Sequence, residues 1–538
     1  MTKQMEEWTM RRFGVALLLA LVVALIATAA STGHTRAAVP SAPPAPGGAG
    51  QLVAAMAAPA ATLDPTLNTA TSSTEMTLHV FDSLVTYDDH FHIVPDLATR
   101  WTVSKDGLVY TFQLAHNITF HNGQTMTAAD VVASIQRAMR IGQNSQTLQP
   151  VVASLQAQGT DTVVLRLKHR FGAILEVLAT PLPQVAIMPA KDATVLHTLN
   201  PPHLIGTGPY QIGKWVPDQY LLLTRFAGYT PAEHFAATGL GGNRVAYFSS
   251  IKFEPVAQPE TRLAGLQRGD FQYAEGLPPT SYQGVAANPN LRPLIISDLT
   301  YLAFWLNQRA GLPLANLSLR QALVTALNDK AVLNVTASGN RRFYKVSSSL
   351  FWPEQTLWYD PSAGQGIYNQ PNPVRVRALL KQAHYHGQQL TIITNHTYPY
   401  MYAEALEVAR QFKAVGINAK LKVLDWPGAI AAFERGTGWD MFASGALFKP
   451  SPLDWYIIIE PNAPLAPGFQ SPEMGRLLQR GAMVTDATQR QAIYRQVQHL
   501  VWTQVPILPL GLLYGLDASA ANLQGYHTFF VPRFWNVW

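Results

Sequence analysis

The chain has 538 residues, 48% of them hydrophobic, which allows a substantial core and more than one domain and excludes a disordered chain. Its formal charge of +6 is a surplus of 39 bases over 33 acids spread along the length, with no basic run long enough to follow a phosphate backbone, which argues against nucleic acid as a partner. The absence of cysteine excludes disulfides, thiolate metal sites, cysteine nucleophiles and the lipidated N-terminal cysteine of a bacterial lipoprotein.

Arg11-Arg12 precedes an apolar run from Gly14 to Ala30, and Thr35-Arg36-Ala37 is a candidate cleavage site, the layout of a secretory signal peptide over residues 1–38. The run is shorter than the roughly 20 residues of a membrane span, so cleavage is preferred to an uncleaved anchor. The Pro/Gly/Ala stretch of residues 39–50 reads as a flexible linker, with the folded part beginning near Gln51. Leu52 to Met56 is a strand candidate leading to Leu63-Asp64-Pro65, and Phe81 to Val85 follows a helical stretch.

Residues 96–139 are the most legible part of the sequence. Leu108, Tyr110, Phe112 and Leu114 alternate as one face of a strand, and Asp106-Gly107, preceded by Trp101 and Val103, predicts a tight hairpin. After a second turn at Asn122-Gly123, Thr127 and Asp130 predict a capping box on a helix with inner face Val131, Ile135 and Met139. The run Leu97, Trp101, Asp106-Gly107, Tyr110-Thr111-Phe112, Phe120-His121, Gly123 and Ala129-Asp130-Val131 resembles the signature of the family 5 extracellular solute-binding proteins, the peptide, oligopeptide and nickel receptors of ABC importers.

Further along, a strand is expected over Thr162–Leu167 and a short helix over Phe171–Leu178. Gly206-Thr207-Gly208-Pro209-Tyr210 resembles the family's GTGPY block, and without a complete Gly-rich fingerprint it reads as a turn entering a strand. Val245 to Val256 alternates as a strand. Ser249-Ser250-Ile251-Lys252 within it satisfies S-x-x-K in letters only, because a strand sends Ser and Lys to opposite faces. Glu260 to Phe271, Tyr301 to Asn307, Leu319 to Lys330, Phe351-Trp352-Pro353 and Tyr359-Asp360-Pro361 continue the resemblance in order.

Leu390 to Thr394, the helical spacing of Ala405, Val408, Ala409, Phe412 and Val415 stopped by Gly416, and the alternation Ile417, Ala419, Leu421, Val423 predict a βαβ unit with parallel strands. Asp486 with Gln489 caps a further helix through Ile493, Val497, Leu500 and Val501, and Pro506 to Leu510 follows as a strand.

The stretch Trp426 to Asp454 carries the most information on function. In the resembled peptide receptors it ends in an aspartate that accepts the ligand's α-ammonium. Here Asp440 and Gly445 match, Ala446 stands where tryptophan is usual, and Lys449 falls where the aspartate would. A cation repels an ammonium in a water-poor cleft. The substitution therefore points either to a ligand with a carboxylate, phosphate or sugar hydroxyl facing Lys449, or to a peptide held through its backbone, or to a lysine displaced into solvent. Trp426, Tyr398, Tyr400, Ala446, Leu447, Phe448, Lys449 and Asn307 are the ligand-binding candidates, while Trp439 and Trp455 share the choice between cleft wall and core. His90/His92 and His384/His386 lack a third ligand, so no metal and no cofactor is expected.

The resemblance implies an α/β, two-lobed periplasmic binding protein of type II, a Venus flytrap with mixed sheets flanked by helices and an extra subdomain in the first lobe. Lobe I would comprise residues 51–80, 206–297 and 513–538, the inserted subdomain 81–205, and lobe II 298–512. The implied function is that of a monomeric extracytoplasmic receptor, not an enzyme, that captures a peptide or peptide-like small solute and passes it to ABC permease subunits with a cytoplasmic ATPase. An acidic or sugar-like ligand, a secreted hydrolase and a ligand sensor are the alternatives.

Overall fold

Two segments rich in apolar residues, Leu291–Leu306 and Ile507–Ala520, form the two longest strands, seen in a computed structural model that describes residues 43–538 except Thr69, Glu233 and His234, with Asp298 and Leu299 given by their backbone. In chain order the strands are β1 (Gln51–Met56), β2 (Val85–Tyr87), β3 (Ile93–Pro95), β4 (Ala98–Val103), β5 (Val109–Leu114), β6 (Val152–Gln158), β7 (Thr162–Leu167), β8 (Tyr210–Val216) and β9 (Tyr220–Arg225). They continue as β10 (Ser250–Pro255), β11 (Tyr273–Leu277), β12 (Leu291–Leu306), β13 (Tyr344–Lys345), β14 (Leu390–Asn395), β15 (Ala419–Leu424), β16 (Met441–Leu447) and β17 (Ile507–Ala520).

One 11-stranded sheet has the order β15-β14-β16-β12-β17-β11-β1-β10-β9-β8, with β13 also on β17. Parallel pairs (β1 with β10 and β11, β14 with β15 and β16) flank the antiparallel β12–β17 ribbon. Pairing in that ribbon breaks between Ile296 and Thr300. The break separates a half built around β1 from a half built around β16. A separate four-stranded antiparallel sheet, β4-β5-β7-β6, and the two-stranded β2-β3 make up a subdomain between residues 85 and 167.

The period of two on β12 and β16 sorts their side chains. Leu302, Phe304, Leu306, Met441 and Ala443 face the helices at 317–325, 329–336 and 399–414, while Tyr301, Ala303, Trp305, Phe442 and Ala446 face the other way. The second group joins one continuous apolar core with Tyr110, Phe112, Val131 and Ile135 of the subdomain. The subdomain and the β16 half thus share buried surface without an intervening gap.

Several expectations hold in detail. Tyr110, Phe112 and Leu114 are buried on β5, Gly107 takes a φ of 70° in the hairpin turn, and the Thr127/Asp130 capping box opens the helix Ala128–Ile141. The βαβ unit is β14, the helix Pro399–Ala414 and β15, in parallel register from Leu390↔Ala419 to Asn395↔Leu424. Asp486 accepts a hydrogen bond from the Gln489 N–H at 2.8 Å at the start of the helix Ala487–Gln504.

Other readings need correction. The linker does not stay free up to Gly50. The Gly47 and Ala49 N–H groups bond to Ala246 O and Tyr247 O at 3.0 Å, and Ala49 packs against the core around β1. Val103 and Val423, expected to point inward, are 41% and 42% exposed, since β4 and β15 are edge strands with a neighbour on one side. The strand expected over Val245–Val256 is confined to β10, and the one expected over Pro506–Leu510 runs on to Ala520. The signal-peptide reading lies outside the described residues. Among those described, no helix is long and apolar enough to cross a membrane.

Candidate functional site

The β16 half, the subdomain and the C-terminal segment meet at a seam of aromatic rings. Phe448, just past β16, lies 4.5 Å from Phe91 by ring centroids, 4.9 Å from Trp352 and 5.1 Å from Phe530. Phe91 stacks on Phe529 at 5.2 Å with the planes 5° apart. Tyr301 meets Trp455 edge-on at 5.2 Å and Trp352 at 6.2 Å. Phe91 sits at a φ of 58°, a conformation that bulky residues adopt only when their surroundings impose it. The imposing group is Asp88, whose Oδ1 accepts the His90 and His92 N–H groups at 2.8 and 2.9 Å and fixes the β2–β3 turn.

Polar contacts cross the same seam. Glu176, on the helix Ile174–Ala179 of the subdomain, pairs with Arg490 of the helix Ala487–Gln504 and accepts the Ser451 hydroxyl, with both charged side chains under 8% exposed. Burial works against the Arg490 charge and Glu176 outweighs it, so the guanidinium is held above its ordinary value. Arg490 also lies over the Trp358 ring at 5.2 Å. His92 Nε2 is 3.0 Å from Thr356 Oγ1. Gln355 donates to Lys449 O and Pro450 O at 2.7 and 3.1 Å, tying the loop after Phe351 to the end of β16.

Among the described residues, the hydrogen-bonding atoms without a partner in this packed seam include Tyr301 Oη, Trp352 Nε1 and Trp455 Nε1. All three residues are at most 3% exposed. Buried polar atoms are paired almost everywhere in folded proteins, and leaving one unpaired costs about 1–3 kcal/mol. An indole N–H can only donate, so the two tryptophans can be satisfied only by a group that supplies acceptors.

The residues singled out in the sequence fall into different places. Phe448 is at the centre of the seam. Ala446 is buried opposite Tyr301 on β12, and Leu447 points outward at 58% exposure. Lys449 is half-buried and its charge acts on Asp454, whose carboxyl burial raises and Lys449 lowers. Trp426 opens the helix Trp426–Arg435 and packs on Tyr398 at 4.9 Å and Phe442 at 6.1 Å, with Tyr400 6.1 Å from Tyr398. Trp426 and Phe442 pack into the same buried core as Phe448. Asn307 is wholly buried. Its amide donates to Gly436 O and Trp439 O at 3.1 Å and its oxygen accepts from Arg309 at 3.0 Å, which spends its bonds within the framework.

Trp352, Tyr301, Phe91 and the Phe529-Phe530 pair were not singled out. Their approach to Phe448 depends on chain crossings that no local pattern encodes. The one available signal was the density of aromatics in Phe351-Trp352 and Phe529-Phe530. Ser249 donates to Gly50 O at 2.8 Å and Lys252 pairs with Glu254, so the S-x-x-K letters form no nucleophile and base. Among the described residues no group of three His, Asp or Glu could hold a metal ion.

The family described as bacterial extracellular solute-binding proteins, family 5 Middle, matches residues 92–459. Over 497 residues the chain is 26% identical to a probable peptide ABC transporter periplasmic-binding protein, y4tO, of Sinorhizobium fredii, covering 88% of this chain and 91% of that one. It is 27% identical over 493 residues to the glutathione-binding protein GsiB of Escherichia coli O1:K1, with the same coverage of 88% and 91%. Among solved structures, the periplasmic binding protein DppA of Helicobacter pylori in complex with the peptide STSA superposes with a TM-score of 0.70 at 21% identity, covering 91% of this chain and 98% of that one. The fold is thus that of the two-lobed periplasmic binding proteins, with sheets flanked by helices.

Proposed function

Since the chain belongs to the bacterial extracellular solute-binding proteins of family 5, we propose that it is the extracytoplasmic receptor of an ABC importer that closes on a peptide or peptide-like small solute at the aromatic seam. The observation that carries this reading is the set of three unpartnered, buried hydrogen-bonding atoms on Tyr301, Trp352 and Trp455, set among apolar rings contributed by both lobes. Apolar walls with a few convergent polar groups are the usual build of a small-solute site. Backbone carbonyls of a peptide are acceptors of the kind those donors lack. The relatives named for a peptide and for glutathione, itself a peptide, support the same ligand class.

In this proposal lobe I is residues 51–80, 206–297 and 513–538, with the subdomain 81–205 inserted, and lobe II is 298–512. The break in β12–β17 pairing supports a hinge there. Residues 1–38 direct export, the receptor works as a monomer, and its partners are permease subunits with a cytoplasmic ATPase. Binding drives closure and no bond in the solute is made or broken.

Native mass spectrometry of the exported protein, purified without denaturation, tests the reading. A series of short-peptide masses is the expected result. A single sugar-like or non-peptide anion in the cleft would overturn the peptide assignment while leaving the receptor.

A further inference from the structure

The helix Pro472–Met483 carries Arg476 and Arg480 one turn apart, and both are exposed. Like charges at that spacing repel, so the pair weakens the helix that bears it. With Arg170 of the subdomain they line one groove of about 510 Å³, together with Met483, Asp486 and Gln489. Asp486, the acid in the groove, already accepts the Gln489 N–H at 2.8 Å as a helix cap. Arg170 donates to the Asp106 carbonyl at 2.7 Å, and the Asp106 carboxylate, which feels the Arg170 charge, accepts from Ser104 and the Leu108 N–H. Among the described residues, none of the three guanidiniums makes an ion pair.

The walls of the groove belong to different parts of the fold. Arg170 follows β7 in the subdomain, while Arg476, Arg480 and Gln489 stand on the helices Pro472–Met483 and Ala487–Gln504. The two walls meet tightly. A Cβ on Gly172 would overlap the Val484 carbonyl, and one on Gly107, in the β4–β5 turn, would stand 3.4 Å from the Thr485 methyl. The buried Glu176–Arg490 pair joins the same two parts. In the receptor reading above, residues 81–205 and 298–512 separate when the protein opens, which carries Arg170 away from Arg476 and Arg480. The three-arginine groove is then complete in the closed form alone.

We propose that this groove is a docking surface for the ABC importer and takes an acidic extracytoplasmic segment of a permease subunit. The proposal rests on the receptor reading. Guanidinium forks match carboxylates two bonds at a time, and three of them without an ion partner leave a cationic slot for an acidic chain to fill. A concave slot suits a segment that projects side chains better than the flat plane of a bilayer. Because opening splits the cluster, the loaded receptor docks in preference to the empty one. Exposed charge contacts of this kind act on encounter and are screened by salt.

The test titrates the cognate permease–ATPase complex, held in phosphatidylcholine nanodiscs, with solute-loaded receptor at low and high salt. The expected result is that Arg476→Glu/Arg480→Glu raises the receptor concentration for half-maximal ATPase stimulation by about tenfold or more, with Arg170→Glu on the other wall acting the same way. Solute affinity by calorimetry should stay within about twofold in both, and high salt should weaken the unaltered receptor more than either variant. Unchanged stimulation by either variant overturns the docking assignment and leaves the receptor reading standing. If such a variant instead loses binding to protein-free phosphatidylglycerol vesicles, the groove belongs to lipid. An unaltered receptor that never stimulates the ATPase overturns the receptor reading as well.

Discussion

Removing the Glu176 carboxylate should open the protein. The pair with Arg490 is buried at 7% and 6% side-chain exposure, and it joins the subdomain to the helix Ala487–Gln504 across the seam. In Glu176→Gln the closed form keeps a guanidinium walled in by Trp358, Tyr494 and the Gly481 carbonyl without its counter-charge. Breaking a buried pair from one side costs about 3–5 kcal/mol. The open form is spared that cost because the guanidinium is then hydrated, so the closing constant should fall by roughly a hundredfold to a few thousandfold. Small-angle scattering in the presence of solute should show a larger radius of gyration than for the unaltered protein, and solute affinity should drop with the closing constant. The double variant Glu176→Gln/Arg490→Met, which removes the stranded charge, should recover most of the loss. A Glu176→Gln protein that scatters and binds as the unaltered protein does would refute the idea that this pair holds the lobes together.

Gly172 lies where a Cβ would overlap the Val484 carbonyl, so Gly172→Ala should leave the subdomain folded yet hinder closure, lowering solute affinity about tenfold or more by titration calorimetry. Tyr301→Phe deletes a hydroxyl that has no partner, and urea denaturation of the unliganded protein should find stability unchanged or raised by about 1 kcal/mol while solute affinity falls. Asp517, on β17, is pushed up to about 7 by burial and then by the Glu275 charge, despite hydrogen bonds from Tyr273 and the Gly276 N–H. Its protonated form is favoured in the fold, so its contribution is full below the unfolded value near 4 and is lost as pH rises through about 7, a change on the order of 4 kcal/mol. Melting curves should therefore show stability declining from pH 5 to 8, with a flatter profile in Asp517→Asn.

Local periodicity made the elements legible wherever one face of a segment is buried and the other is wet. That is why the β4–β5 hairpin, the capped helix at Ala128 and the β14–helix–β15 unit were readable nearly to the residue. The same rule misleads at an edge: Val423 alternates correctly along β15 and still faces solvent. The site was less readable because it is assembled from separate crossings. Phe91, Trp352, Phe448 and Phe529 are far apart in sequence, and each alone looks like an ordinary core aromatic. Phe448 and Trp426 are legible along one segment, and both pack into one core. Lys449 drew attention through the family pattern. That its charge acts on Asp454 is legible only with the chain folded.

The position of β17 bears on how the protein is made. The last strand in the sequence is an interior strand of the sheet, lying between β12 and β11, and those two flanking strands were synthesised more than 200 residues earlier. Until it emerges, neither half of the sheet can finish its hydrogen-bond ladder, and contacts this distant in sequence form slowly. A nascent chain ending before Ile507 should accordingly lack cooperative thermal unfolding by circular dichroism. The central sheet is thus completed only at the end of synthesis, while the β4-β5-β7-β6 sheet needs no strand from beyond Leu167.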